Sequence, residues 1–158
     1  MLIFDEEYEK NDTIFIKPKI FHKDELIKQN IVFLTSRLLE KNIDALLVEK
    51  GINSIRLTSE YEFNNIDFLK EYKLDFIESI DLLSDSVENI EGLYSLKNLK
   101  RINNTKHRIE YSKFENLISL GIELVDKYDI EELSKLHNLE DLSLLNKFTE
   151  KDLTKISN

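Results

Sequence analysis

Apolar residues recur down this chain in pairs separated by one position. Ile55 and Leu57 form the first pair, Ile80 and Leu82 the second, and Ile122 with Leu124 and Leu142 with Leu144 follow. Between them Ile102 opens a pair whose second place holds Asn104. The first members lie 25, 22, 20 and 20 residues apart. Such alternation predicts a short strand with one buried face at each position. A second pattern runs between the strands. Ile90, Leu93, Leu96 and Leu99 are spaced by three, as are Ile130, Leu133, Leu136 and Leu139, and both blocks start twelve residues before a strand pair. Looser copies read Tyr111, Phe114, Leu117 and Ile66, Leu69, Tyr72. Apolar residues at every third place suit one face of a short helix or 3₁₀ turn. One strand plus one short helix cannot bury its apolar face alone, so the repetition predicts coils stacked around a shared core.

Residues 1–50 do not carry this repeat. Thr13-Ile-Phe-Ile-Lys17 reads as a short strand ended by Pro18. A helix is expected from Asp24 through Leu26, Ile27, Ile31, Leu34 and Leu38 to about Asn42, with Asp24 as its N-cap. Residues 45–48 read as a further strand. Stacked coils leave apolar surface at both ends and need covers there. The expected layout is a single domain over residues 1–158: an N-terminal strand–helix cap over 1–50, four to five irregular repeats over 51–146, and a C-terminal cap over 147–158.

The repeat blocks resemble leucine-rich-repeat proteins, above all the bacterial variant with a short helix per repeat. Asp129-Ile-Glu-Glu-Leu-Ser-Lys-Leu-His-Asn-Leu-Glu-Asp-Leu-Ser-Leu144 reads much like one of its units. The resemblance covers about residues 51–146. It implies an α/β solenoid, a short leucine-rich-repeat fold with parallel strands on the concave face and short helices on the convex face. The family pattern also carries an Asn or Cys a few residues after the strand, where it bonds the turn. Here Lys106 or His107 stands in that slot in the third repeat, and Asn146 falls one place early. A ladder of turn asparagines is therefore not expected, and the coils should be irregular.

Composition narrows the function more than the fold. The 158 residues include 41% apolar side chains, enough for a real core, with 3 Gly and 1 Pro and so no linker-like stretch. Cysteine is absent, which removes disulfides, thiolate metal sites and a cysteine nucleophile together. The histidines, His22, His107 and His137, lack ligand spacing, and Gly51, Gly92 and Gly121 lie too far apart for a phosphate loop. Asp81, Asp85 and Glu88 lack the tight alternation of a calcium loop. The many close carboxylate pairs read as a solvated face. No catalytic constellation emerges, so the chain is expected not to be an enzyme and to need no cofactor and no metal. The beginning of the chain does not read as a secretory signal, and no stretch approaches the roughly 18 apolar residues of a membrane span. A cytoplasmic protein without membrane contact is expected.

The net charge is -9, which disfavours direct nucleic-acid binding and favours a basic protein partner. Residues 51–99 carry 10 acidic and 4 basic side chains, and residues 109–158 carry 11 and 6. Between them, residues 100–108 hold 4 basic and no acidic side chains, read as a solvated turn. If each apolar pair faces inward, the residues between and beside it form a recognition surface. Its central column is Arg56, Asp81, Asn103, Glu123 and Ser143, and the next is Thr58, Leu83, Thr105, Val125 and Leu145. Glu78, Arg101, Glu140 and Asp141 flank them. Leu83, Val125 and Leu145 are the expected apolar anchors among charges. Small acidic repeat proteins of this look resemble the orphan immunity proteins of bacterial toxin loci. That resemblance implies a protein that binds and neutralises a cognate toxin domain, such as a basic nuclease. A regulatory or scaffolding subunit of a cellular enzyme and a small hydrolase remain as alternatives; the oligomeric state is left open.

Overall fold

The computed structural model describes residues 3–9, 13–19, 31–35, 43–104, 107–123 and 127–144. The chain is α/β. Eight strands form one sheet in strict chain order: β1 (Ile3–Glu9), β2 (Thr13–Lys19), β3 (Ile31–Leu34), β4 (Ser54–Leu57), β5 (Ser79–Leu82), β6 (Arg101–Asn104), β7 (Ser119–Ile122) and β8 (Asp141–Leu144). β1, β2 and β3 pair antiparallel, and β3 through β8 are parallel throughout. Short helical pieces stand between the parallel strands: α1 (Ile43–Glu49), α2 (Phe68–Glu71), 3₁₀ turns at Glu91–Ser95 and Tyr111–Lys113, and α3 (Lys127–Leu133).

The buried inward residues of the strands and the buried apolar residues of the connections share one core, on one face of the sheet. Val32, Ile55, Ile80, Ile102, Leu120 and Leu142 stand side by side in register. The second inward column runs Leu34, Leu57, Leu82, Ile122 and Leu144, with Asn104 in register at β6 between Leu82 and Ile122. A three-residue step leads into each strand: Leu74 and Ile77 before Ile80, Leu96 and Leu99 before Ile102, Phe114 and Leu117 before Leu120, with all of these side chains buried. The backbone repeats the same device at the entrances of β5, β6, β7 and β8. The carbonyl of Asn53 accepts from the N–H groups of Glu78 and Ser79 at 2.8 and 3.2 Å, that of Glu78 from Lys100 and Arg101, that of Lys100 from Ile118 and Ser119, and that of Ile118 from Glu140 and Asp141.

Several expectations change. The β7 strand lies two residues earlier than the pair Ile122 and Leu124, so Leu120 and Ile122 face inward. The steps between first inward residues are therefore 23, 25, 22, 18 and 22 residues. The parallel run also begins earlier. Residues 31–34, expected inside a helix, form β3, because Val32 and Leu34 complete the inward columns beside Ile55 and Leu57. The rest of that expected helix is outside the described residues. Residues 45–48, expected as a strand, belong to α1, whose Ile43 and Leu47 are buried one turn apart. Gly51 ends it at φ 63°, with its N–H on the Val48 carbonyl and the Ile52 N–H on that of Leu47. This left-handed glycine cap is a helix-terminating motif. The strand expected at Thr13 is present but runs on through Pro18, opposite Phe4 of the unexpected β1. β1 is an edge strand rich in carboxylates (Asp5, Glu6, Glu7, Glu9), a composition that hides a strand in sequence and discourages further pairing.

A ladder of asparagines exists after all, before the strands rather than behind them. Asn98, Asn116 and Asn138 donate side-chain N–H to the carbonyls of Asp75, Lys97 and Glu115 in the preceding turn, at 2.6, 3.4 and 3.3 Å. A further tie joins α3 to the 3₁₀ turn behind it. The Glu132 carboxylate, 3% exposed, accepts from the Ser112 hydroxyl at 3.0 Å and backbone N–H at 3.3 Å, and pairs with Lys135. Burial alone would push its carboxyl up, but these bonds and the Lys135 charge together hold it below its ordinary 4.5.

Three outcomes test this packing. Leu133→Asp is expected to destabilise by about 3 kcal/mol in denaturant titration, the half-buried Leu142→Asp by less, and the exposed Ser143→Asp by almost nothing. A Cβ at Gly92 would lie 2.0 Å from the Ile66 carbonyl oxygen, so Gly92→Ala should cost about 2 kcal/mol in the same titration. Because the Glu132 pKa is lowered on folding, its contribution is complete above 4.5 and fades as pH falls through the lower folded value. Glu132→Gln should therefore lower Tm at neutral pH, and the gap to the parent protein should narrow in acid.

Candidate protein-binding face

The face of the sheet opposite the core carries polar side chains in two registered columns. Phe33, Arg56, Asp81, Asn103, Gly121 and Ser143 form the central one. Ser54, Ser79, Arg101, Ser119 and Asp141 form its neighbour at the strand entrances. Strand alternation puts them there, since each lies one place from an inward residue.

A chain of charges crosses three strands at the middle of this face. The Arg56 guanidinium donates to Asp81 Oδ2, with Nε at 2.6 Å and Nη2 at 2.5 Å. Arg101 donates from the other side, with Nη1 2.5 Å from Asp81 Oδ1 and 3.3 Å from the Ser79 hydroxyl. Asp81 is 1% exposed at its side chain, against 15% for Arg56 and 25% for Arg101. One carboxylate beneath the surface thus holds two guanidiniums, a local excess of one positive charge. The Phe33 ring lies 5.2 Å from the Arg56 guanidinium carbon, a cation–π contact. Beside the cluster, the Glu78 carboxylate accepts from Asn53 at 3.2 Å and from Lys100 at 2.5 Å. Toward the last strand, the Ser119 hydroxyl donates to Asp141 at 2.9 Å.

No protein-family model matches the chain, and no curated protein matches it in sequence.

The expected recognition residues meet different fates. Arg56, Asn103 and Ser143 stand in the central column, and Arg101 and Asp141 beside it. Asp81 occupies its expected column but is withdrawn under the two arginines, so a partner meets guanidinium rather than carboxylate there. Glu123 is displaced. With β7 shifted by two, Gly121 takes its central slot and Glu123 follows the strand, in the column of Thr58 and Leu83. Thr58 is half-buried, Leu83 and Glu123 are exposed, and Glu78 and Glu140 stand just before their strands. Val125 and Leu145, two of the three expected anchors, and Thr105 lie outside the described residues. The pattern missed Phe33, the buried serines and Gly121. Gly121 leaves room for Asn103, whose Oδ1 is 2.6 Å from where a Cβ would sit.

The face offers guanidinium donors at its centre and acceptors at Asp141 and Ser143 toward β8. An open cleft of 530 Å³ lies at the strand entrances between Lys100, Glu115, Ile118 and His137. Among the described residues no group of three or more His, Asp or Glu side chains is placed to hold a metal ion, and no helix is long and apolar enough to cross a membrane.

Removing Asp81 leaves two guanidiniums facing one another without their shared anion. Asp81→Ala is expected to cost about 3 kcal/mol, read by denaturant titration, and restoring apolar contact by adding Arg56→Leu and Arg101→Leu should recover most of it.

Proposed function

We propose that this chain is a leucine-rich-repeat protein-binding module, and that its partner is a toxin domain which it neutralises in the cytoplasm. The observation that carries the binding part is the polar face of a six-strand parallel sheet; among the described residues, the connections place buried apolar side chains in the core on the other side. A parallel sheet is ordinarily covered on both faces. One left polar and registered, with arginines at its centre, has the make-up of a recognition surface. The repeated strand entrances, the three-residue apolar steps and the asparagine ladder support the repeat class. Support for a toxin partner is the resemblance to immunity-type repeat proteins, together with the net charge of -9, which suits a basic nuclease.

The test is co-expression with the product of the neighbouring gene. A complex that survives gel filtration at moderate salt and suppresses that product's toxicity is expected. Asp141→Arg with Ser143→Arg, both exposed on the strand face, should weaken it at least about tenfold, whereas Glu71→Lys on α2 should not. Absence of affinity sinks the toxin reading. Binding indifferent to the strand-face pair sinks this choice of surface.

A further inference from the structure

The two arginines at the centre of the strand face hold more hydrogen-bond donors than the chain has acceptors for. A guanidinium carries about five N–H donors, so the pair carries about ten, whereas one carboxylate offers about four lone-pair sites. Arg56 and Arg101 share the single carboxylate of Asp81, and Arg101 adds the Ser79 hydroxyl at 3.3 Å. Arg56 uses Nε and Nη2 on Asp81 Oδ2, at 2.6 and 2.5 Å, which leaves its Nη1. Among the described residues neither arginine has a further hydrogen-bonding partner. None of their nitrogens is both buried and unbonded, so the remaining donors open to the surface.

The surroundings do not cancel the charge. The side chains that adjoin the two arginines along and across the strands, apart from Asp81, are Phe33, Ser54, Thr58, Ser79, Asn103 and Ser119, none of them ionised. The next carboxylates are already engaged: Glu78 with Lys100 and Asn53, and Asp141, two strands from Arg101, with Ser119. One positive charge is therefore left over on side chains only 15% and 25% exposed, where salt screens it less than at an open surface. Two polar groups beside the pair are unbonded as well. Ser54 Oγ, two residues before Arg56 on the same side of β4, and Asn103 Oδ1, on the strand next to Asp81 and in register with it, are buried without a partner. Buried polar groups are nearly always bonded, so the cluster is incomplete within the chain.

We propose that Arg56 and Arg101 form a receptor for one carboxylate of a partner protein, an Asp or Glu side chain bonded by both guanidiniums. A single carboxylate cancels the one charge that Asp81 leaves over. Its shape also fits. Carboxylate and guanidinium are planar and bond edge to edge. The Phe33 ring lies against the Arg56 guanidinium at 5.2 Å, and so directs a further acceptor to the guanidinium edge. Asp81 and Ser79 already hold the arginines in place, so little freedom is lost when the acceptor arrives. Nucleic acid needs a run of cations for its repeated phosphates, and this face has one uncancelled charge in a protein of net charge -9. The inference rests on the strand face as the binding surface and names the chemistry at its centre: a partner that is basic overall brings an acidic side chain to this point.

The full chain is titrated at constant ionic strength with the blocked tripeptide acetyl-Gly-Glu-Gly-amide, and the arginine Nε–Hε signals are followed by NMR. The Gln tripeptide and dimethyl phosphate, a phosphodiester of the same charge as the Glu tripeptide, serve as comparisons. Saturable shifts of the Arg56 and Arg101 signals with the Glu tripeptide are expected, none with the Gln tripeptide, and weaker binding of dimethyl phosphate. Arg101→Lys keeps the charge but loses the planar fork, and should weaken binding about tenfold. Arg101→Gln should abolish it, whereas Lys97→Gln, exposed on a connection, should leave it unchanged. The proposal is overturned by signals that do not shift, by equal binding of the Gln tripeptide, by dimethyl phosphate binding as tightly, or by Arg101→Gln binding like the parent. The titration needs no partner, so its failure leaves the complex with the neighbouring gene product to be judged separately, and absence of that complex leaves the titration standing. In the complex itself, Arg101→Gln should raise Kd at least about tenfold, and an unchanged Kd overturns the proposal.

Discussion

No single coil of this protein can bury its own apolar residues, and everything else follows from that. Each parallel strand is four residues long, so alternation gives it only two inward positions. Two side chains on so short a strand make no core. They become one only when Ile55, Ile80, Ile102 and Leu120 stand shoulder to shoulder and the three-residue steps of the connections close over them. Register is therefore fixed by burial, because a slip of one residue would turn an inward column out. The paired N–H bonds on Asn53, Glu78, Lys100 and Ile118 lock the same register from the backbone side.

The same constraint organises the opposite face. Registered strands put Arg56 beside Asp81, and Arg101 next to both. Opposite charges on neighbouring strands then fall into contact without any loop to steer them. The carboxylate ends up beneath the guanidiniums, so the centre of an acidic protein presents positive groups. Four exposed carboxylates, Glu60, Glu62, Asp85 and Glu88, stand in the turns after β4 and β5.

Much of this was legible in the amino-acid pattern. The alternating pairs at Ile55, Ile80 and Leu142 mark strands, and the triplet spacing from Ile90 marks a 3₁₀ turn with buried Leu93 and Leu96. The displaced strand shows how such reading goes astray. Ile122 and Leu124 look like a better pair than Leu120 and Ile122, because Gly121 between the latter is a poor strand residue. Yet Tyr111, Phe114 and Leu117, continued by three, arrive at Leu120 as Leu93, Leu96 and Leu99 arrive at Ile102. The connection was the more reliable guide, since three consecutive buried positions constrain register more than one pair does. At β3 a helical spacing through Ile31 and Leu34 concealed Val32, whose place is set only by the neighbouring strand. In α1 the deciding residue was Gly51, read as the start of a repeat rather than the end of a helix. On the binding face, the columns were readable but the depth was not. Nothing in the order of residues says that Asp81 sits below its arginines.

The asparagine ladder has a further meaning. Asn98, Asn116 and Asn138 each reach back to the turn immediately before, and none reaches further. The units that lead into β6, β7 and β8 therefore ask the same thing of their predecessors. Duplication or loss of a whole unit in the interior would create no new kind of junction. The 18-residue step from β6 to β7 and the 25-residue step from β4 to β5 already share one register. In a protein joined this way, the length of the surface is free to change by descent while the grammar of each joint stays fixed.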